Sequence, residues 1–168
     1  MKILFIVAAI VTALGLGTAY ASHYYGIKWK GHAPVTVRLV DKTPASWDGA
    51  VTAAADSWSL STAIDYVKED GAENCTVVSG AVVICARNDG PTFYAALTTW
   101  GQRGNSYTAV LIVVNTYYLP NPDQHAICQE LGHALGLDHQ DASDSCMGTN
   151  WGALYPNAHD FEELEIIY

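Results

Sequence analysis

The spacing of apolar positions changes period several times along this chain. Val35-Thr-Val-Arg-Leu-Val40 alternates strictly, which predicts a strand with one buried face. The period then becomes helical. Trp47, Val51, Ala54 and Trp58 fall on one stripe, so a helix introduced by Thr43-Pro44-Ala45-Ser46, with Ser46 as N-cap and Asp48 in its first turn, should run to about Ser61. Its tryptophans belong to the core. Ile64 to Val67 and Ala81 to Arg87 read as further strands, rich in β-branched residues and bounded by Asp-Gly signals. Tyr94 to Trp100 reads as an edge strand and Thr108 to Asn115 as a buried one. Leu119-Pro-Asn-Pro-Asp123 breaks the chain before a second helix, capped by Asp123 and reaching about Leu137. Its apolar side is Ala126, Ile127, Leu131, Ala134 and Leu135, which leaves 129, 130 and 133 to face a cleft. Asp160 to Tyr168 closes the chain as a short acidic helix. This order of elements predicts an α/β (α+β) fold with a mixed, partly parallel, twisted sheet. No repeat or linker divides it, and one domain over residues 22–168 is expected.

The N-terminus adds a compartment. Lys2, an apolar run from Ile3 to about Leu16, and Ala19-Tyr20-Ala21 before Ser22 form the pattern of a secretory signal peptide over residues 1–21. The rival reading is an uncleaved anchor helix, since a span needs roughly 20 residues; the A-x-A site favours cleavage and a secreted, extracellular chain with no stable membrane association. Cleavage would leave 147 of the 168 residues, enough for one core, and removing Lys2 would take the formal charge from −9 to −10. A surface of that sign repels phosphate backbones, so nucleic acid is not an expected partner. A monomer is expected.

Four cysteines in an exported chain point to two disulfides, for which three connectivities exist. Cys75 and Cys85 flank Thr-Val-Val-Ser-Gly-Ala-Val-Val-Ile, which reads as a hairpin folding at Gly80 and placing the two opposite each other. Cys128 then pairs with Cys146 by elimination. Metal binding by the cysteines is the alternative, but no C-x-x-C pair supports it.

The chemistry lies in Gln129-Glu-Leu-Gly-His-Ala-Leu-Gly-Leu-Asp-His139. Positions 129 and 133 are one helical turn apart and leave the same face, so both side chains can converge on one ion. Glu130, about 100° round the helix, lies beside that position and suits a general base acting on water. Gly136 can adopt the positive φ that ends a helix, returning the chain so that His139 reaches the same ion. Three ligands, Gln129, His133 and His139, with one open position form a catalytic zinc set. His125 lies two turns before His133, about 12 Å along the axis, too far to share the ion, and is expected on the surface near the helix start. His23, His32 and His159 are isolated and receive no role. Nothing in the sequence supports a structural Ca2+ site.

At these residues the chain resembles the metzincin zinc endopeptidases, whose motif is H-E-x-x-H-x-x-G-x-x-H followed by a methionine turn. Glu130, His133, Gly136 and His139 match it, and Ser145-Cys146-Met147-Gly148 supplies the turn. The eight-residue step from His139 to Met147 and the run Leu-Gly-His-Ala-Leu-Gly-Leu-Asp-His resemble the matrixin branch. Thr149 stands where astacin-like and serralysin-like members carry a metal-facing tyrosine. Gln129 is the departure, in place of the first histidine. The resemblance implies a matrixin-like catalytic domain whose edge strand, near Tyr94 to Trp100, lies along an extended peptide or protein substrate, with Asn150 to Pro156 walling its pocket. From the residues alone an ordinary edge strand serves as well. The short stretch between the cleavage site and Val35 leaves no room for the inhibitory prodomain many matrixins carry. Two functions follow: a secreted zinc-dependent endopeptidase with Glu130 as general base, or a catalytically impaired secreted module that holds peptides or a protein in the same cleft. Glu130 favours the first and Gln129 the second.

Overall fold

A computed structural model describes residues 23–149 and 151–168, so the signal-peptide reading of residues 1–21 and the placement of Asn150 lie outside the described residues. The described chain is mixed α/β. Five strands, β1 (Val35–Lys42), β2 (Ile64–Asp70), β3 (Val82–Arg87), β4 (Ala96–Arg103) and β5 (Ser106–Asn115), form one sheet in the order β2-β1-β3-β5-β4. β1 runs parallel to β2 and β3, β3 parallel to β5, and β4 alone is antiparallel; the order places β2 and β4 on the sheet's two edges. Three helices complete it: α1 (Asp48–Trp58), α2 (Gln124–His133) and α3 (Ala158–Ile167).

The helical stripe reads as expected, since Trp47, Val51, Ala54 and Trp58 are all buried against the sheet. A fully buried Val or larger apolar side chain contributes about 1.5–3 kcal/mol, so this stripe alone anchors α1. The ends differ from the expectation. Pro44 starts a short 3-10 turn over Ala45–Trp47, Ser46 makes no cap hydrogen bond, and α1 stops at Trp58. Apolar periodicity marks which face of a helix packs more clearly than where the helix ends.

The hairpin expected between Cys75 and Cys85 does not form. β3 carries β1 on one side and β5 on the other, so both of its hydrogen-bonding edges are taken. Residues 72–81 instead cross the face of the sheet opposite the helices, where Val78 packs on Val40, Ala81 and Val83. Gly80 does turn the chain, with φ 74°. The Cys75–Cys85 disulfide is present, Cα atoms 5.4 Å apart, and it fastens this segment to β3. The cover explains why β1 alternates in burial only over its first half and is buried throughout from Leu39 to Lys42. Among the described residues no helix is long and apolar enough to cross a membrane.

Candidate metal centre

Helix α2 begins where the Pro-Asn-Pro break predicts. The Asp123 carboxylate accepts from the Ala126 N–H at 2.9 Å, satisfying one of the donors a helix start leaves open. The helix ends at His133, four residues short of the expected Leu137, because the chain tightens into turns in which Leu135 N donates to Gly132 O and Gly136 N to His133 O. Gly136 has φ 99°, and a Cβ there would lie 2.4 Å from Ile27 O, so a side chain would be both strained and blocked. The chain therefore reverses at Gly136, and the reversal brings His139 back to the helix.

A helix end inside a protein leaves carbonyls without partners. Here aromatic side chains from the rest of the fold supply them. Tyr66 Oη donates to Leu131 O (2.8 Å), Tyr107 Oη to His133 O (3.1 Å), Trp29 Nε1 to Ala134 O (2.9 Å) and Tyr168 Oη to Leu135 O (2.9 Å). Trp58 Nε1 also donates to α2, to Cys128 O in the helix interior at 2.9 Å. Packing behind the helix is equally tight. Met147 is fully buried, and a Cβ on Gly132 would come 2.3 Å from its Sδ and 2.6 Å from the Trp58 ring. The methionine turn can sit under α2 only because position 132 has no side chain.

That turn is held from three sides. Cys128 and Cys146 form the second disulfide, Cα atoms 6.0 Å apart, joining α2 to the turn. Gln140 N donates to Met147 O at 2.9 Å, and Cys146 N donates to Tyr155 O at 2.9 Å. Beneath it lies Asp160, fully buried at the start of α3, where it accepts from Ser145 Oγ (2.5 Å), Gln140 Nε2 (2.5 Å) and the Asn157 N–H (2.8 Å). Burial pushes the Asp160 carboxyl up while the Ser145 hydroxyl and the Asn157 N–H pull it down. α3 is thus less an acidic surface helix than a helix whose first-turn acid closes a capping box and locks the methionine turn.

The two histidines meet. His133 Nε2 and His139 Nε2 lie 3.1 Å apart. Two nitrogens bound tetrahedrally to one zinc at 2.0–2.1 Å would be separated by about 3.3 Å, so the pair already has the spacing a shared ion needs. His133 Nδ1 lies 2.8 Å from Leu137 O, which makes Nδ1 the N–H and turns the Nε2 lone pair toward His139. Tyr25, held by its N–H on Gly136 O, covers this ring at 5.8 Å between centroids. Burial lowers the pKa of both histidines, and His133 adds to the lowering at His139, so both favour the neutral, metal-binding form.

Gln129 is held by its nitrogen. Nε2 donates to Cys146 O and Gly148 O, at 3.2 Å each, and the amide oxygen accepts no hydrogen bond among the described residues. Glu130 is buried, and Thr98 Oγ1 on β4 donates to its Oε2 at 2.5 Å. Burial raises its pKa to about 7, against the opposing pull of the Thr98 hydroxyl and of His139. A carboxyl poised near neutrality can both take and return a proton. The donor set of two neutral imidazoles, a free amide oxygen and an adjacent carboxylate fits zinc.

Two expectations about nearby residues change. His125 is not on the surface: it is 3% exposed, its Nδ1 lies 2.6 Å from Ala153 O, and its ring stacks on Trp151 at 5.1 Å. The segment after the methionine turn folds back over the helix start and covers it. His23, assigned no role, is also buried; its Nδ1 donates to Asp138 O at 2.8 Å, tying the chain before β1 to the loop that carries His139. Thr98 and Asp160 escaped the sequence reading because each acts through a contact distant in sequence. The Asn157-x-x-Asp160 spacing was the one local signal for the latter.

Elsewhere, Asp41, Asp48 and Asp70 bring carboxylate oxygens within 4.8 Å of one another. The Lys68 ammonium already stands among them, bonded to Asp48, 2.6 Å from Asp70 and 3.5 Å from Asp41. Burial opposes its charge, yet these carboxylates hold it above the ordinary lysine range. The three carboxylates are thus paired with a cation of the chain itself.

No family model matches the chain, and no curated protein matches it.

Proposed function

We propose that the protein is a secreted zinc-dependent endopeptidase with a matrixin-like, metzincin-type catalytic domain. The observation that carries this reading is the convergence of His133 Nε2 and His139 Nε2 at 3.1 Å beside the buried Glu130. Both rings reach that point by the helix-then-glycine-reversal that the spacing of the motif requires. His133, His139 and the Gln129 amide oxygen would hold zinc, which supplies Lewis acidity toward a scissile carbonyl and acidifies a water. The two Met-turn carbonyls on the Gln129 nitrogen do for the amide what Leu137 O does for His133: they fix its orientation and leave the oxygen as the available donor. Glu130 takes the proton of the attacking water and returns it to the leaving amine, with its carboxylate aimed by Thr98. β4, one of the two edge strands of the sheet, carries Thr98 and offers an outer backbone edge for an extended peptide to lie against.

A second reading, a module that binds peptides in this cleft without cutting them, draws on the same Gln129 bonds, since a side chain tied to two backbone carbonyls can serve as a brace alone. Metal analysis and chelator-sensitive cleavage of a mixed peptide library separate the two. Glu130→Gln should abolish cleavage and keep one zinc per chain. Cleavage that survives this change removes Glu130 from the mechanism, and loss of zinc makes it a ligand.

A further inference from the structure

A groove opens at the N-terminal end of β4. Its walls are Thr92, Phe93, Tyr94 and Ala95 from the loop before the strand, Tyr118 and Leu119 from the segment before α2, and Trp151 from the segment after the methionine turn; its volume is about 460 Å³. That exceeds the volume of any single side chain and lies in the range of small-ligand sites. Phe93 is 93% exposed, Trp151 60% and Tyr118 43%, a concentration of uncovered aromatic surface that a soluble chain ordinarily keeps for a partner.

The groove is built on ordered supports. Asn115, fully buried at the end of β5, donates from Nδ2 to Gly90 O and Thr92 Oγ1 at 3.0 Å each and holds the loop that carries Phe93. Tyr118 Oη donates to Thr92 O at 2.6 Å. Trp151 rests on His125, one turn before Gln129 on α2. Asp89, beside Tyr94, is bonded by Arg87 at 2.8 Å and by Tyr94. The lining is mostly aromatic and aliphatic and includes no charged side chain, so it favours an apolar occupant over a charged one.

Its place on the edge strand sets the register. Ala95 still pairs with β5, through Asn115 N to Ala95 O at 2.8 Å, so the ladder runs unbroken from the groove to Thr98. Three residues of strand cover about 10 Å. An extended peptide lying along β4 rises by the same step, so the residue over the groove is three or four positions from the residue beside Glu130.

We propose that this groove is a subsite for one large apolar or aromatic side chain, carried three or four residues from the cleaved bond of an extended peptide; the proposal rests on the peptidase reading of the cleft. The test uses dodecapeptides of Gly, Ala, Ser and Thr with a single Phe moved through every position, with cut sites read by mass spectrometry. A Phe three or four residues from the cut should raise kcat/KM roughly ten- to a hundredfold over Ala there, the discrimination that burying one such side chain supplies. Phe93→Ala, which removes an almost wholly exposed ring, should reduce this preference, and Phe93→Ala with Trp151→Ala should erase it. Leu60→Ala, an exposed apolar residue on another face, should leave it intact. A preference unchanged in the double variant, or one confined to residues next to the cut, overturns the subsite while the peptidase reading stands. If the wild type cuts no peptide, that reading fails. The groove is then judged by fluorescence anisotropy of a labelled Phe peptide on Glu130→Gln protein: binding lost with Phe93→Ala and Trp151→Ala upholds it, and absent or unaltered binding overturns it. Self-association abolished by Phe93→Ala in sedimentation would overturn it too, by making a second copy the occupant.

Discussion

Gln129→His tests the departure that separates this chain from the family it resembles, and the structure sets the size of the effect on two scales. Gln129 Nε2 donates to both Cys146 O and Gly148 O. An imidazole has one Nδ1–H to offer in their place, so the metal-free variant loses one neutral hydrogen bond, about 1 kcal/mol. For a domain of this size that lowers Tm by about 4 °C. Zinc reverses the order. Imidazole is the better zinc donor and has fewer torsions to fix, so affinity should rise by one to several factors of ten, each about 1.4 kcal/mol. At free zinc above both dissociation constants, each factor adds that amount to the folded state. The variant should therefore melt below the wild type in chelator and above it in zinc-buffered solution. Calorimetry in both conditions, with competition against a chelator of known affinity, reads the two scales separately. Equal zinc affinities would show that position 129 does not face the ion, and the metal assignment of α2 would fail with it. Equal melting in chelator would refute only the brace to the methionine turn.

Thr98→Val keeps the shape of β4 but removes the donor to Glu130 Oε2; kcat on a peptide should fall by about tenfold, one charge-assisted hydrogen bond's worth, with KM and zinc content unchanged, and an unaltered kcat would take Thr98 out of the site. Gly132→Ala gains about 1 kcal/mol of helix propensity but drives a methyl group toward the Trp58 ring, which is fully buried and held by Cys128 O. Overpacking should dominate, for a net loss of about 2 kcal/mol in urea unfolding, and a stability equal to wild type would show that Met147 and Trp58 are free to yield.

The Cys75–Cys85 segment shows how a correct contact can follow from an incomplete picture. The ten-residue spacing about Gly80 does bring the cysteines together. Yet the β-branched run between them reads equally as a strand pairing with β3, and the reason it does not is that β1 and β5 already flank β3. His125 repeats the lesson at the site. Its position at a helix start argues for solvent, and only the return of Trp151 and Ala153 over the helix buries it.

The sequence by itself determined the parts whose cause is local. Helical spacing of 129, 130 and 133, a cap at Asp123, a positive-φ glycine at 136 and the Trp47-to-Trp58 stripe all follow from periodicity or turn chemistry, and each acts within a few residues of itself. Tertiary structure alone decided what depends on contacts distant in sequence. Which aromatic hydroxyls and indoles satisfy the end of α2, that Thr98 reaches Glu130, that Asp160 sits beneath the methionine turn, and that the Gln129 amide is held by its nitrogen are outcomes of how sheet, helix and turns pack together. Hydrogen bonds of that kind form wherever packing leaves a buried polar group in need of a partner, and no pattern along the chain records which partner will be near.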